Sequence, residues 1–134
     1  MTALPDPRER DLVKCEDMRL YAVRACQVLG SRGLDELLAD EIVQLALVRC
    51  VEVIGEAARL VSESTRQLAP EIQWLLIVGM RHVLAHDYGT VDLEKVHTVV
   101  TKHLPTLIRS LETLVKILED HVGWSDSDEH PTCG

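Results

Sequence analysis

The stretch DEIVQLALVRCVEVIGEAARLVSES, from Asp40 to Ser64, decides the fold. Asp40 is a candidate N-cap, and Glu41 follows in the first turn, where an acid complements the helix dipole. The apolar positions of the stretch cover more than one stripe, as expected of a central helix packed on several sides. Gly55 lies in its interior, where glycine costs ~1 kcal/mol relative to alanine. A close helix crossing, or a backbone approached by a partner, would offset that cost.

Towards the N-terminus, Pro5 and Pro7 make an extended lead-in. A helix is then predicted from about Arg8 to Leu29, with Leu12, Cys15, Ala22, Cys26 and Leu29 recurring near helical spacing. Gly30-Ser31-Arg32-Gly33 ends it, and Leu34 to Ala39 is a connector or a short helical turn. Towards the C-terminus, Pro70 opens a third helix at its first turn, followed by Glu71. This helix runs through Trp74, Leu75, Ile77 and Val78 to Arg81, with a second interior glycine at Gly79. Close packing of the Gly55 and Gly79 regions would bring Glu56 near Arg81. Gly89-Thr90 is a turn, and Asp92 caps a fourth helix to about His103. Pro105 opens or kinks a fifth, with Leu107, Leu111, Leu114, Ile117 and Leu118 as its stripe. No strand pattern and no internal repeat interrupts this series. The expected fold is all-α, an up-and-down bundle of four to five helices. Residues 1–121 are expected to form one helical domain, and residues 122–134 an acidic, disordered tail carrying Trp124.

Composition agrees with helix-on-helix packing. Hydrophobic residues make up 46% of the 134, yet there is no Phe, so Leu, Val, Ile and Ala must fill the interior. No apolar run approaches the ~20 residues of a membrane span, and the N-terminus has no apolar signal core. Cys15, Cys26, Cys50 and Cys133 form neither a C-x-x-C pair nor a compact framework. Buried free thiols in a cytoplasmic protein are the expected state. The net charge of −8 argues against a general nucleic-acid platform. Residues 119–134 carry −5 of it, and from Arg81 to Arg109 four bases face three acids. Any RNA would therefore be held at one local site, with weak non-specific affinity.

That site is Arg81-His82-Val83-Leu84-Ala85-His86-Asp87-Tyr88, of the form Arg, four residues, His, one residue, Tyr. A guanidinium can hold phosphate oxygens in bidentate fashion. Imidazole can take and give protons near neutral pH. Arg81 and His86 are five apart, which separates them by roughly 140° on a regular helix. They share one ligand only at a distorted helix end or where two copies of the motif meet. The residues also admit plainer readings. Arg81 can be a helix-end cation paired with Glu56 or Asp87, and His86 a buried ring satisfied by backbone. Trp74 reads as core or interface, Lys95 and Lys102 as solvated-face residues, and His97 and His103 as fillers of a helix face. His82 and His86, at i and i+4, have a zinc-compatible spacing. The glutamate of H-E-x-x-H and an obvious third ligand are both missing, so no metal and no cofactor is expected.

This stretch resembles the HEPN superfamily of small helical ribonucleases, and within it the HepT-like toxins of toxin–antitoxin pairs. The likeness extends through Val53-Ile54-Gly55-Glu56-Ala57-Ala58, Pro70-Glu71-Ile72-Gln73-Trp74 and Val78-Gly79-Met80-Arg81. It continues through Val91-Asp92-Leu93-Glu94 to Leu104-Pro105, so that it covers about residues 12 to 118. The resemblance implies a metal-independent endoribonuclease that uses the ribose 2′-OH as nucleophile and leaves DNA uncut. Arg81 and His86 would be the catalytic pair, with His82, Asp87 and Glu56 in support. His82 departs from the common pattern, in which asparagine follows the arginine. The resemblance further implies a homodimer or higher oligomer with two motifs in one cleft. It implies a nucleotidyltransferase-fold antitoxin that transfers AMP to Tyr88, and action in the cytoplasm away from membranes. A reading of another class is a catalytically silent helical subunit that dimerises or docks the nucleotidyltransferase. The acidic charge and His82 favour it.

Overall fold

The computed structural model describes the backbone of residues 6–84 and 91–129, and the side chains of residues 6–80 and 91–121. The described residues are mostly helical. Helices α1 (Pro7–Leu29), α2 (Leu34–Leu38), α3 (Glu41–Arg59), α4 (Glu63–Arg66) and α5 (Trp74–Leu84) are followed by α6 (Leu93–Thr98). A π-helical turn, Val99–His103, then joins α6 to α7 (Leu104–Glu129). No strand occurs among the described residues. The long helices pack in the order α7, α1, α3, α5, and α2 bridges α3 and α6. The result is the all-α bundle expected from the sequence.

Helix α1 starts where Asp6 accepts a hydrogen bond from the Arg8 amide, 2.9 Å away. It ends at Gly30, whose φ of +56° only glycine adopts readily. Arg32 turns back to donate to the carbonyl of Val28 at 2.8 Å, satisfying a group that the helix end leaves open. The inward stripe of α1 is Asp11, Cys15, Met18, Ala22, Ala25 and Leu29. Five of these fit an apolar seam, and Asp11 does not.

Asp40 caps α3 as expected, accepting from the Val43 amide at 3.1 Å. The buried positions of α3 span Val43, Leu47, Cys50, Val51, Ile54, Gly55, Ala57 and Ala58, a face wide enough to meet both α1 and α5. Helix α3 stops at Arg59 rather than near Ser64. Asp11 is the reason. It is only 3% exposed, and a buried carboxylate must find donors. It takes the Ser62 amide at 3.0 Å, the Ser62 hydroxyl, and the Thr65 hydroxyl at 2.6 Å. Segment 62–65 has to wrap around that carboxylate, so the chain leaves α3 early and re-forms as the short α4.

Pro70 does not open a helix, and α5 begins four residues later at Trp74. The Ile72 amide donates to Ala69 O and the Trp74 amide to Ile72 O, which folds residues 69–74 into tight turns. The buried indole fixes them by donating from Nε1 to the same Ala69 carbonyl at 3.1 Å. The Arg66 guanidinium lies 5.7 Å from the indole centroid and donates to Ala58 O at 2.9 Å. Trp74 is thus a core residue with its polar edge satisfied.

Asp92 caps α6, accepting from the Lys95 amide at 3.1 Å. The helix expected to reach His103 ends at Thr98, and the next turn is π, with the Leu104 amide donating to Val99 O. Pro105 sits one residue further on. It lacks the N–H that would bond Thr101, and its ring would press on that carbonyl. A widened turn ahead of it lets the helix continue. Leu107, Leu111, Leu114 and Leu118 of α7 face the core, whereas Ile117 is 42% exposed. The α7 backbone is helical past residue 121, up to Glu129.

Candidate catalytic motif at the end of helix α5

The motif begins on α5, which packs against α3. Arg81 and His82 belong to α5 by their backbone, and their side chains lie outside the described residues. His86, Asp87 and Tyr88 lie outside the described residues altogether.

Glu56 follows Gly55 on α3. Its carboxylate accepts from Arg59 Nη2 at 2.7 Å and Nε at 3.3 Å. That bond, reinforced by the charge of Glu56, holds the exposed Arg59 guanidinium more firmly protonated than usual. Gly79 is not a point of tight approach, since a methyl built there would meet nothing within 4 Å. The expected Gly55–Gly79 contact therefore has no support from Gly79, although α3 and α5 do pack together.

The remaining polar candidates resolve into structural roles. His97 Nε2 lies 3.0 Å from the Arg32 carbonyl and ties α6 to the end of α1. His103, Lys95 and Lys102 are exposed. Cys15 and Cys50 are buried and free, Cys26 is half-buried and free, and Cys133 lies outside the described residues. Burial pushes the Cys15 thiol up to about 12, with the charges of Asp11 and Glu16 adding to it. Burial also raises Cys26 and Cys50. Thiols held protonated in this way are poor nucleophiles. Among the described residues no group of three His, Cys, Asp or Glu side chains could hold a metal ion. None of the described helices is long and apolar enough to cross a membrane.

The residue that sequence reasoning missed is Asp11. Its signal was present: Asp11, Cys15, Met18, Ala22, Ala25 and Leu29 share one helical spacing, so an acid stands in line with the apolar seam.

The described residues form an all-α bundle whose helix α5 leads into the Arg-x4-His-x-Tyr stretch. Comparison with known proteins identifies the family. The family model described as "Ribonuclease HepT-like" matches residues 18–114, and the chain belongs to this family. The chain is 34% identical over 82 residues to "Probable ribonuclease HepT" of Thermococcus cleftensis, covering 61% of this chain and 74% of the relative. It is 31% identical over 86 residues to "Putative RNase MJ0125" of Methanocaldococcus jannaschii, covering 64% and 74% of the two chains. A protein of Caldanaerobacter subterraneus, "Putative RNase TTE0752", is 25% identical over 100 residues, or 72% of this chain and 89% of its own. No solved structure matches the chain.

Proposed function

We propose that the protein is an endoribonuclease toxin that cleaves RNA without a metal ion. The observation that carries this reading is the family match over residues 18–114, which includes the whole of the Arg81–Tyr88 stretch. In the proposed reaction the ribose 2′-oxygen attacks the adjacent phosphorus and the 5′-oxygen leaves. The products are a 2′,3′-cyclic phosphate and a 5′-hydroxyl end. One imidazole accepts the 2′-OH proton and another protonates the departing oxygen. Arg81 neutralises the charge that builds on the phosphoryl oxygens. A single His86 does not serve both transfers at once, so the reading calls for a dimer that joins two motifs, with His82 and Asp87 supporting the pair.

Neutralisation is assigned to a nucleotidyltransferase-fold antitoxin acting on Tyr88. The tyrosine oxygen would attack the α-phosphorus of ATP, with pyrophosphate leaving and its phenolic proton released. The AMP so attached places a phosphodiester negative charge two residues from His86, where it competes with RNA for Arg81.

The test is cleavage of RNA by purified protein in EDTA. His86→Ala and Arg81→Ala should each lower cleavage at least ~100-fold while leaving helicity unchanged. DNA of the same sequence, lacking the 2′-OH, should stay intact. Cleavage by His86→Ala at the wild-type rate, or equal cleavage of DNA, overturns the mechanism. Intact-mass measurement after co-expression with the antitoxin should show AMP on Tyr88, absent from Tyr88→Phe. An unmodified tyrosine in fully neutralised protein would mean inhibition by occlusion.

A further inference from the structure

Helix α3 spends two of its faces on α1 and α5 and leaves a third to solvent. That outward face has a regular content. Ile42, Leu45, Arg49, Glu52, Glu56 and Arg59 follow one another at alternating steps of three and four, the heptad spacing of a helix-pairing seam. Ile42 is 80% exposed and Leu45 64%, unusual for large aliphatic side chains on an inner helix. Arg49 and Glu52 are exposed and stand 3.8 Å apart. Leu60, 45% exposed, extends the far end of the stripe. Beside it runs a groove of about 450 Å³ between α1 and α3, whose wall includes Lys14 and Asp17 as well as Arg49 and Glu52.

The order of these residues identifies the occupant. The stripe carries two bases and two acids, so its net charge is zero and it selects neither a basic nor an acidic partner. In an antiparallel pair of identical helices crossing between Cys50 and Val51, Arg49 of each copy meets Glu52 of the other. The same register sets Ile42 against the stems of Arg59 and Leu60 in the second copy, and Leu45 against the stem of Glu56. Each apolar end then covers the charged end of its mate, as a two-fold contact requires.

We infer that the outward face of α3 is a self-association surface, on which a second copy of this chain seats antiparallel with Arg49 opposite Glu52. This rests on the proposed dimeric enzyme and specifies the surface that makes it. The motif-bearing α5 packs on a neighbouring face of α3, so a pair built on α3 ties the relative placement of the two motifs to one helix.

The experiment is a charge exchange read by sedimentation, with circular dichroism as the folding control. R49E sets acid against acid and E52R sets base against base. Each should weaken self-association at least ~10-fold. Mixing the two variants should restore it, because every contact in the mixed pair is again opposite in charge. I42D, at the apolar end, should weaken it comparably. A wild-type dimer that neither charge reversal disturbs overturns this surface and leaves the dimeric enzyme standing. Variants that weaken association but fail to recover on mixing overturn the Arg49–Glu52 register. A wild-type monomer at tens of micromolar overturns both the surface and the dimeric reading.

Discussion

Two prolines stand at two of the junctions between helices in this bundle, and they have opposite consequences. Around Pro70 the chain reverses completely, and α3 and α5 come to lie side by side. At Pro105 the helix goes straight on, with one widened turn ahead of the ring. The residue is the same; the neighbours differ. Near Pro70 a buried carboxylate and a buried indole both demand partners from the connecting segment. Ahead of Pro105 no buried polar group competes, and the Thr101 hydroxyl donates to the His97 carbonyl at 2.8 Å, inside the helix. The comparison teaches that proline permits a break, while long-range polar burial decides whether the chain turns.

The largest expected effect comes from removing that demand. Asp11→Ala strands the Ser62 amide and the hydroxyls of Ser62 and Thr65, and should cost about 3–5 kcal/mol in denaturant melts. A loss below ~1 kcal/mol would mean the reversal is held by something else. Next comes alkali. The Cys15 thiol, one turn along from Asp11, is raised to about 12, so the fold binds its proton more tightly than the unfolded chain does. The stability from the protonated thiol is fully present below its ordinary value near 9 and is lost as pH rises towards 12. Melts of wild type and Cys15→Ala across that window should converge as pH rises, and parallel curves would contradict the assignment. A smaller effect, ~1 kcal/mol, is expected of Trp74→Phe, which keeps the ring but removes the donor to Ala69 O. Smallest is Pro105→Ala, within ~1 kcal/mol of wild type, because the widened turn already accommodates the proline. A drop of several kcal/mol there would show that proline acts on the two junctions more similarly than described.

Local patterns were read well from the sequence, and distant ones were not. The caps at Asp40 and Asp92, the stop at Gly30 and the leucine seam of α7 depend on residues within one or two turns. The early end of α3 depends on a carboxylate 51 residues away, which no local period reveals. Pro70 misled for the same reason, since Trp74 and Ala69 close the turn from within the core. The motif itself was legible as chemistry because Arg81, His86 and Tyr88 are close neighbours in sequence. The pairing of Glu56 with Arg81 falls on a side chain outside the described residues and stays an expectation, because helical spacing does not fix how two helices are rotated against each other.

The widened turn at 99–103 gives the bundle a place to absorb a change in chain length. It holds one residue more than a regular turn, with Val96 before it, Val100 within it and Leu104, Leu107 and Leu111 after it all buried. Deleting a single residue there would let the helix relax to regular geometry while the faces on either side keep their direction. The same deletion in the regular part of α7, between Leu107 and Leu111, has no such slack. It would rotate everything beyond it by about 100° and carry Leu111, Leu114 and Leu118 off the core face. The loss of one codon is therefore tolerated ahead of Pro105 and damaging a few positions later.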